Sequence, residues 1–272
     1  MKFHWMHRFD FGNTEDKLVE MARTLEKSKV YSVLLTYSIW SPDYVPFLPI
    51  MIRLTKNLKF MMAFRPYTLS PEYAIRFFNT MKQAYGDRLT FNMVAGKMLE
   101  DEEQAAIKMY NLEESLINTI EKRIEFTDKW AEKFFSYMKP EDLISYTIAN
   151  SPMTLKLGNR WTDYIIFDHW KLEENYAKAK DTKLVLCIDP LIRETKEELD
   201  SEIEYCYQSW EINKSLTPSI LEKREHLIRG NMEEVKQQIN EISKKYGIND
   251  FMITTSQKDI SSLLKLIEEM SD

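Results

Sequence analysis

The sequence predicts an α/β fold, a (β/α)8 barrel, on three observations. Short β-like runs alternate with amphipathic helical stretches almost from end to end. The strands read this way number eight, which favours a closed parallel barrel over an open sheet. No Gly-, Ser- or Pro-rich linker and no composition shift interrupts the alternation, so residues 1–272 read as one barrel domain.

The elements follow in order. "KFHWMHRF" reads as a strand, followed by helix "TEDKLVEMARTLEKS" with Asn13 or Thr14 as its N-cap. Strand "YSVLLTY" and helix "YVPFLPIMIRLTK" come next, then strand "LKFMMAF", helix "PEYAIRFFNTMKQAYG" and strand "LTFNMVAG". Residues 98–138 are polar at first and then strongly helical. Strand "DLISYTIAN", a short helix "PMTLKLGNR", and strands "TDYIIF" and "TKLVLCID" follow. A long charged helical section covers 195–229, and helix "MEEVKQQINEISKKYG", strand "NDFMITT" and helix "KDISSLLKLIEEM" close the chain.

Composition narrows the function. With 43 acidic against 37 basic residues the net charge is −6, which argues against a general nucleic-acid binder. No apolar run approaches the roughly 20 residues of a membrane span, and His4, His7 and Arg8 break up any signal-peptide core near the start. A cytoplasmic chain is expected, in which the two cysteines, Cys187 and Cys206, stay reduced. Their spacing matches no zinc site, and none of the six glycines forms a GxGxxG or Walker A loop. No metal centre is expected.

Barrel enzymes place their chemistry at the carboxyl ends of the strands. By position alone, the polar residues there are His7 and Arg8, Tyr37 to Trp40, Arg65, Asn92, Asn150 and Ser151, Asp168 and His169, Asp189, and Thr254 to Ser256. Asn150-Ser151-Pro152 opens a helix, where free N–H groups and the positive end of the helix dipole suit an anion; a plain N-cap is the other reading, and the two are compatible.

Three stretches carry a family resemblance. "LKFMMAFRPYTLSPEYAIRFFNTMKQAYGDRLTFNMVAG" resembles the third-to-fourth-strand segment of the bacterial luciferase-like flavin-dependent monooxygenases, nearest in pattern to the alkanesulfonate monooxygenase branch. "EKRIEFTDKWAEKFF" is similar to that family's Arg-Tyr-Glu helix, with Arg123 and Glu125 in place, and "RGNMEEVKQQINEISKKYGINDFMITT" to its last helix and strand. The resemblance implies a barrel that binds reduced FMN at the strands' carboxyl ends and activates dioxygen on it, with a separate flavin reductase and a homodimeric assembly. It places a non-prolyl cis peptide at Met62-Ala63 against the flavin ring and Arg65 at the pocket rim. Asn92 would contact the flavin's pyrimidine edge or the substrate, and Asn150 and Ser151 the phosphate.

Departures from the family pattern reshape the substrate side. Ile124 stands where a phosphate-binding tyrosine is usual. Cys187 and Asp189 stand where the alkanesulfonate branch carries an arginine and a histidine, and Ser41 where it carries a cysteine, so an anionic sulfonate is a poor candidate substrate. The insertion that forms a lid in that branch is short or differently built. His7, Tyr37, Trp40, Asp168, Trp170 and Cys187 would line the remodelled pocket, and His169 and Asp189 are its candidate acid–base groups. Three functions follow as expectations: an FMN-dependent monooxygenase acting on a small molecule, an F420-dependent hydride-transfer oxidoreductase, or a flavin-binding homologue without catalysis.

Overall fold

A computed structural model describes residues 1–7, 14–36, 43–95, 100–139, 141–179, 182–212, 228–254 and 259–271. Eight parallel strands close into a barrel: β1 (Lys2–His7), β2 (Ser32–Leu35), β3 (Lys59–Phe64), β4 (Leu89–Met93), β5 (Ser145–Ile148), β6 (Tyr164–Asp168), β7 (Lys183–Ile188) and β10 (Asp250–Ile253). Going round the ring the order is β1-β10-β7-β6-β5-β4-β3-β2, the sequential arrangement that βα units impose. The predicted fold is therefore the observed one.

Alternation along each strand divides the core in two. Leu34, Met61, Ala63, Tyr146, Ile166, Val185, Cys187 and Met252 form the apolar filling of the barrel interior. Their neighbours Val33, Leu35, Phe60, Met62, Phe91, Phe167, Leu186 and Phe251 point outward and pack against the helices. The outward layer is dense in aromatic rings. On β4, Phe91 lies 5.8 Å from Trp130 and 5.2 Å from Phe134, both on α5 (Ile120–Phe135), where Trp130 and Phe134 stack at 4.9 Å. Fully burying one such ring contributes about 1.5–3 kcal/mol. Because Phe91 is anchored outward, its neighbour Asn92 must face in.

The helices begin where local chemistry starts them. Thr14 caps α1 (Glu15–Lys27), accepting the Lys17 N–H at 3.4 Å, and Ser70 caps α3 (Pro71–Tyr85), accepting that of Tyr73 at 3.2 Å. α3 ends at Gly86, whose φ of 67° is a conformation that side chains disfavour. α6 (Pro152–Trp161) crosses β5 and β6 closely, because Gly158 has no Cβ to meet Thr147 and Ile165.

Some elements differ from expectation. Pro46 and Pro49 split the second predicted helix into a 3-10 turn (Val45–Phe47) and α2 (Leu48–Leu54). The 98–138 stretch becomes α4 (Glu100–Tyr110), a 3-10 turn (Glu114–Leu116) and α5. After β6 come a 3-10 turn (His169–Lys171) and α7 (Leu172–Asn175). The charged section after β7 holds α8 (Lys196–Ile212), flanked by a two-stranded parallel pair that periodicity does not reveal: β8 (Leu191–Ile192) and β9 (Arg229–Gly230). α9 (Met232–Tyr246) and α10 (Ser261–Met270) complete the outer layer. Among the described residues, no helix is long and apolar enough to cross a membrane.

The barrel floor, opposite the strands' carboxyl ends, carries a buried polar knot. His4 Nδ1 lies 2.7 Å from Ser32 Oγ and its Nε2 3.6 Å from Asp250 Oδ1, while Tyr31 and Tyr146 meet the imidazole edge to face. Burial pushes the His4 pKa below its usual value, and the Asp250 carboxylate only partly opposes this. Tyr146 stacks on Tyr164 at 4.8 Å, and burial raises the pKa of both phenols, that of Tyr164 to about 12. The buried His4, Ser32 and Tyr146 tie the floor together.

Candidate functional site

The mouth is built from the residues at the carboxyl ends of the strands. Continuing the alternation, the inward column reaches Ala63 and Arg65 on the β3 side, Asn92 and Val94 on β4, and Ile148 and Asn150 on β5. On β6 it reaches Ile166 and Asp168, and on β7 Cys187 and Asp189.

Asn92 is the most informative of these. It is fully buried, and neither its amide nitrogen nor its amide oxygen has a hydrogen-bond partner among the described residues. Its register partners are Ala63 on β3 and Tyr146 on β5. An orphaned buried polar group costs about 1–3 kcal/mol, so a donor-and-acceptor pair left unsatisfied here, as at Asn175, calls for an explanation such as an ordered water or a ligand.

Beside it, the end of β3 is held from two sides. The Tyr44 hydroxyl donates to the Ala63 carbonyl at 2.7 Å, and the buried Arg65 donates from Nη1 to the Tyr67 hydroxyl at 3.0 Å. The Arg65 carbonyl accepts from the Thr68 N–H at 2.9 Å and hydroxyl at 2.8 Å, so Arg65-Pro66 starts a fixed turn. Tyr44 and Tyr67 were not legible as site residues: each acts through a contact that no periodicity encodes.

One expectation for this strand is corrected. No cis peptide occurs among the described residues, so Met62-Ala63 is trans. Met62 also turns its side chain to the helix-side core, because strand alternation sends inward Met61 and Ala63, not Met62. Ala63 offers its small side chain to the interior.

On the β5–β6 side, Asn150 and Asp168 pair with each other. The Asn150 amide donates to Asp168 Oδ2 at 2.7 Å, and the Asp168 N–H donates to Asn150 Oδ1 at 3.0 Å. Asn150 thereby shapes Asp168. Ser151 is engaged as well: its hydroxyl accepts the Thr154 N–H at 3.3 Å, and its own N–H donates to Thr154 Oγ1 at 3.1 Å, a reciprocal capping box. Pro152 has no N–H, so the first turn of α6 retains little to offer an anion.

His169 and Trp170 follow Asp168 on the 3-10 turn, both half-buried. His7 is half-buried at the end of β1, its carbonyl accepting from the Thr36 hydroxyl at 3.0 Å. Cys187 is buried inside the barrel, in register with Asp168 on β6 and Met252 on β10. Asp189 is half-buried just beyond it. Burial and the charges of Asp189 and Glu202 push the Cys206 thiol on α8 up to about 12, which keeps it protonated and unreactive. Arg8, Tyr37, Trp40, Ser41 and Ser256 lie outside the described residues.

The side-chain types at the strand ends suit a flat ring system with a polar edge. Asn92 supplies both a donor and an acceptor, while Ala63, Val94, Ile148 and Ile166 give an apolar lining. At the phosphate end the fit is looser, since Ser151 is occupied and Arg123, buried on α5, donates from Nη1 to the Ile117 carbonyl at 2.6 Å. Among the described residues no His, Cys, Asp and Glu side chains gather as a metal site.

No family model matches the chain, and no curated protein matches its sequence. Solved structures do share its fold. An F420-dependent secondary alcohol dehydrogenase in complex with an F420–acetone adduct superposes with a TM-score of 0.73 at 15% identity, over 99% of this chain and 98% of that one. EDTA monooxygenase from Chelativorans sp. BNC1 gives 0.74 at 12% identity, over 99% and 92%. The oxygenating constituent of 3,6-diketocamphane monooxygenase from Pseudomonas putida, in complex with FMN, gives 0.70 at 13% identity, over 100% and 97%. The likeness confirms the (β/α)8 barrel, and at these identities it is a likeness of fold alone.

Proposed function

We propose that the protein is a flavin-dependent monooxygenase that uses reduced FMN and dioxygen to oxygenate a small organic substrate, with the reduced flavin delivered by a separate reductase. The observation that carries this reading is the buried, unpartnered Asn92 amide facing the interior beneath the mouth. The pyrimidine edge of a flavin alternates N–H and C=O groups, so one side-chain amide can meet it with both of its atoms. Ala63 leaves room for the ring where a larger residue would close the interior, and Tyr44 holds that stretch of β3 in place.

When bound, the reduced flavin supplies the electrons that activate dioxygen. The protein's share is to orient the ring through Asn92, to exclude water with the apolar lining, and to hold the substrate beside it. His169 and Asp189 stand at the rim as groups that could move a proton. A sulfonate is disfavoured by the thiol and carboxylate of Cys187 and Asp189 on β7.

A second reading, hydride transfer with F420, is favoured by the fold likeness to the F420-dependent alcohol dehydrogenase and to an F420-dependent tetrahydromethanopterin reductase from Methanopyrus kandleri. A deazaflavin presents the same pyrimidine edge to Asn92. Anaerobic fluorescence titration with FMN, reduced FMN and F420, followed by admission of oxygen, tests the choice. Tightest binding of reduced FMN with substrate-stimulated oxygen uptake supports the monooxygenase. A clear preference for F420 moves the reading to hydride transfer, and flavin binding without any stimulated turnover reduces it to a binding protein.

A further inference from the structure

We propose that the cavity between the start of α3, the 3-10 turn Glu114–Leu116 and α5 is a second ligand site, taking a small aromatic acid: a flat apolar body that carries one carboxylate. The cavity holds about 480 Å³, within the range of small-molecule sites. All of its lining residues come from these three elements and none from a strand, so it lies outside the barrel and apart from the mouth.

Its floor is apolar and fixed. Trp130 is buried, donates from its indole N–H to the Leu69 carbonyl at 2.6 Å and stacks on Phe134 at 4.9 Å, with Phe91 of β4 at 5.8 Å. Phe126, one turn earlier on α5, is half-buried and packs against the cluster of Tyr67, Ala106 and Ile117. Pro71, half-buried at the start of α3, and Leu116, 40% exposed, add apolar walls. A leucine and two aromatic rings around one cavity leave apolar surface in water, which a flat apolar ligand would cover.

The rim is cationic. Lys122, Glu125 and Lys129 are spaced three and four residues apart and so share one face of α5. Glu125 Oε2 lies 3.2 Å from Lys122 Nζ, and its Oε1 lies 2.9 Å from Lys129 Nζ. Hydrogen bonds from Lys129 and then Lys122 hold the Glu125 carboxyl below its usual range, so two positive charges face one negative charge at neutral pH. Each ammonium has three N–H donors, and Glu125 takes one from each. Among the described residues, Glu125 is the one acid that lines the cavity. Two nearby carboxylates are engaged elsewhere: Glu72, beside Pro71, by Lys133, and Glu113 by the Ser115 hydroxyl. A ligand carboxylate therefore balances the rim, whereas a ligand ammonium would meet two lysines.

The test uses three probes of one shape and different charge: 2-naphthoate, 2-naphthamide and 2-naphthylmethylammonium. Binding to the full chain is followed by calorimetry for the wild type, Lys122→Gln, Lys129→Gln, the double variant and Glu125→Gln. All of these change exposed side chains and leave the core untouched. 2-Naphthoate should bind about fivefold more tightly than 2-naphthamide, and the ammonium probe should bind least. Each lysine substitution should weaken 2-naphthoate alone by about two- to fivefold. Glu125→Gln should tighten it by about the same factor, because it frees both lysines and removes the repelling charge. A row of ion pairs with no ligand to hold would show neither change. The acid's advantage should shrink as salt is raised. The proposal is overturned if 2-naphthoate does not bind, or if 2-naphthamide binds as tightly. It is also overturned if the double variant binds 2-naphthoate as the wild type does, which would put the acid elsewhere on the chain. A dimer that Leu116→Asp converts to a monomer would give this face to a second copy and likewise overturn it.

Discussion

Asn150 and Asp168 grip each other at the ends of β5 and β6, side-chain amide to carboxylate at 2.7 Å and main-chain N–H to amide oxygen at 3.0 Å. The two contacts tie adjacent strand ends together and set the plane of the Asp168 carboxylate. Asn150→Ala removes a charge-assisted bond and leaves the Asp168 N–H without its acceptor. A loss of about 1–3 kcal/mol in urea unfolding is expected. Asn150→Asp should cost at least as much, since it sets two carboxylates against each other.

Gly158 sets how closely α6 approaches the barrel. An added Cβ would stand 2.7 Å from Thr147 Cγ2 and 2.8 Å from Ile165 Cγ1, both on stiff β-branched side chains. Overpacking costs about 1–3 kcal/mol, against a helix-propensity gain of about 1 kcal/mol for alanine. Gly158→Ala should therefore lose up to about 2 kcal/mol in thermal or urea unfolding, and a raised melting temperature would contradict the close approach.

His4 makes stability pH-dependent in one direction. Desolvation is the largest influence and lowers its pKa, so the unfolded chain takes up a proton at higher pH than the folded one. This contribution is fully present above pH 6.5 and is lost as pH falls below it, by at most about 1.4 kcal/mol per pH unit. Urea unfolding of wild type and His4→Gln between pH 8 and 5 should show the wild type's extra decline beginning near 6.5. Parallel curves for the two would remove His4 as the cause.

Glu26 acts in the same direction at lower pH. Desolvation tends to raise its pKa, but the N–H groups of Leu58, Asn57 and Lys56, donated at 2.8 to 3.0 Å, outweigh that and hold it below the usual range. Its contribution is present above about pH 4.5 and lost as pH falls further. Glu26→Gln should narrow the stability difference between pH 7 and pH 4, as read by urea unfolding at the two values.

Much of this architecture is written in local patterns. Continuous apolar runs such as "SVLL" and "KFMMAF" between amphipathic helices give the barrel, and Thr14, Ser70 and Ser151 mark helix starts through side-chain chemistry that acts within three residues. Asn92 stands out as a polar residue in an apolar strand. The pairing of Asn150 with Asp168 spans 18 residues and depends on two strands lying side by side, which no local pattern encodes. The same alternation that puts Ala63 inward sends the Met62 side chain outward. Thr154 already stood at the position that engages Ser151, so the capping box was readable and competes with the phosphate role. The β8–β9 pair consists of two-residue strands, too short for any period to show.

The most direct measurement is the affinity of reduced FMN for wild type and Asn92→Leu, titrated anaerobically and paired with urea unfolding of both. Leucine replaces the unpartnered amide with an apolar group of similar size, so the variant should be as stable as wild type or up to about 2 kcal/mol more stable. It should bind reduced FMN at least about tenfold more weakly. A stable variant that binds reduced FMN as tightly as wild type would contradict the account, because the buried amide would then have no part in holding the flavin.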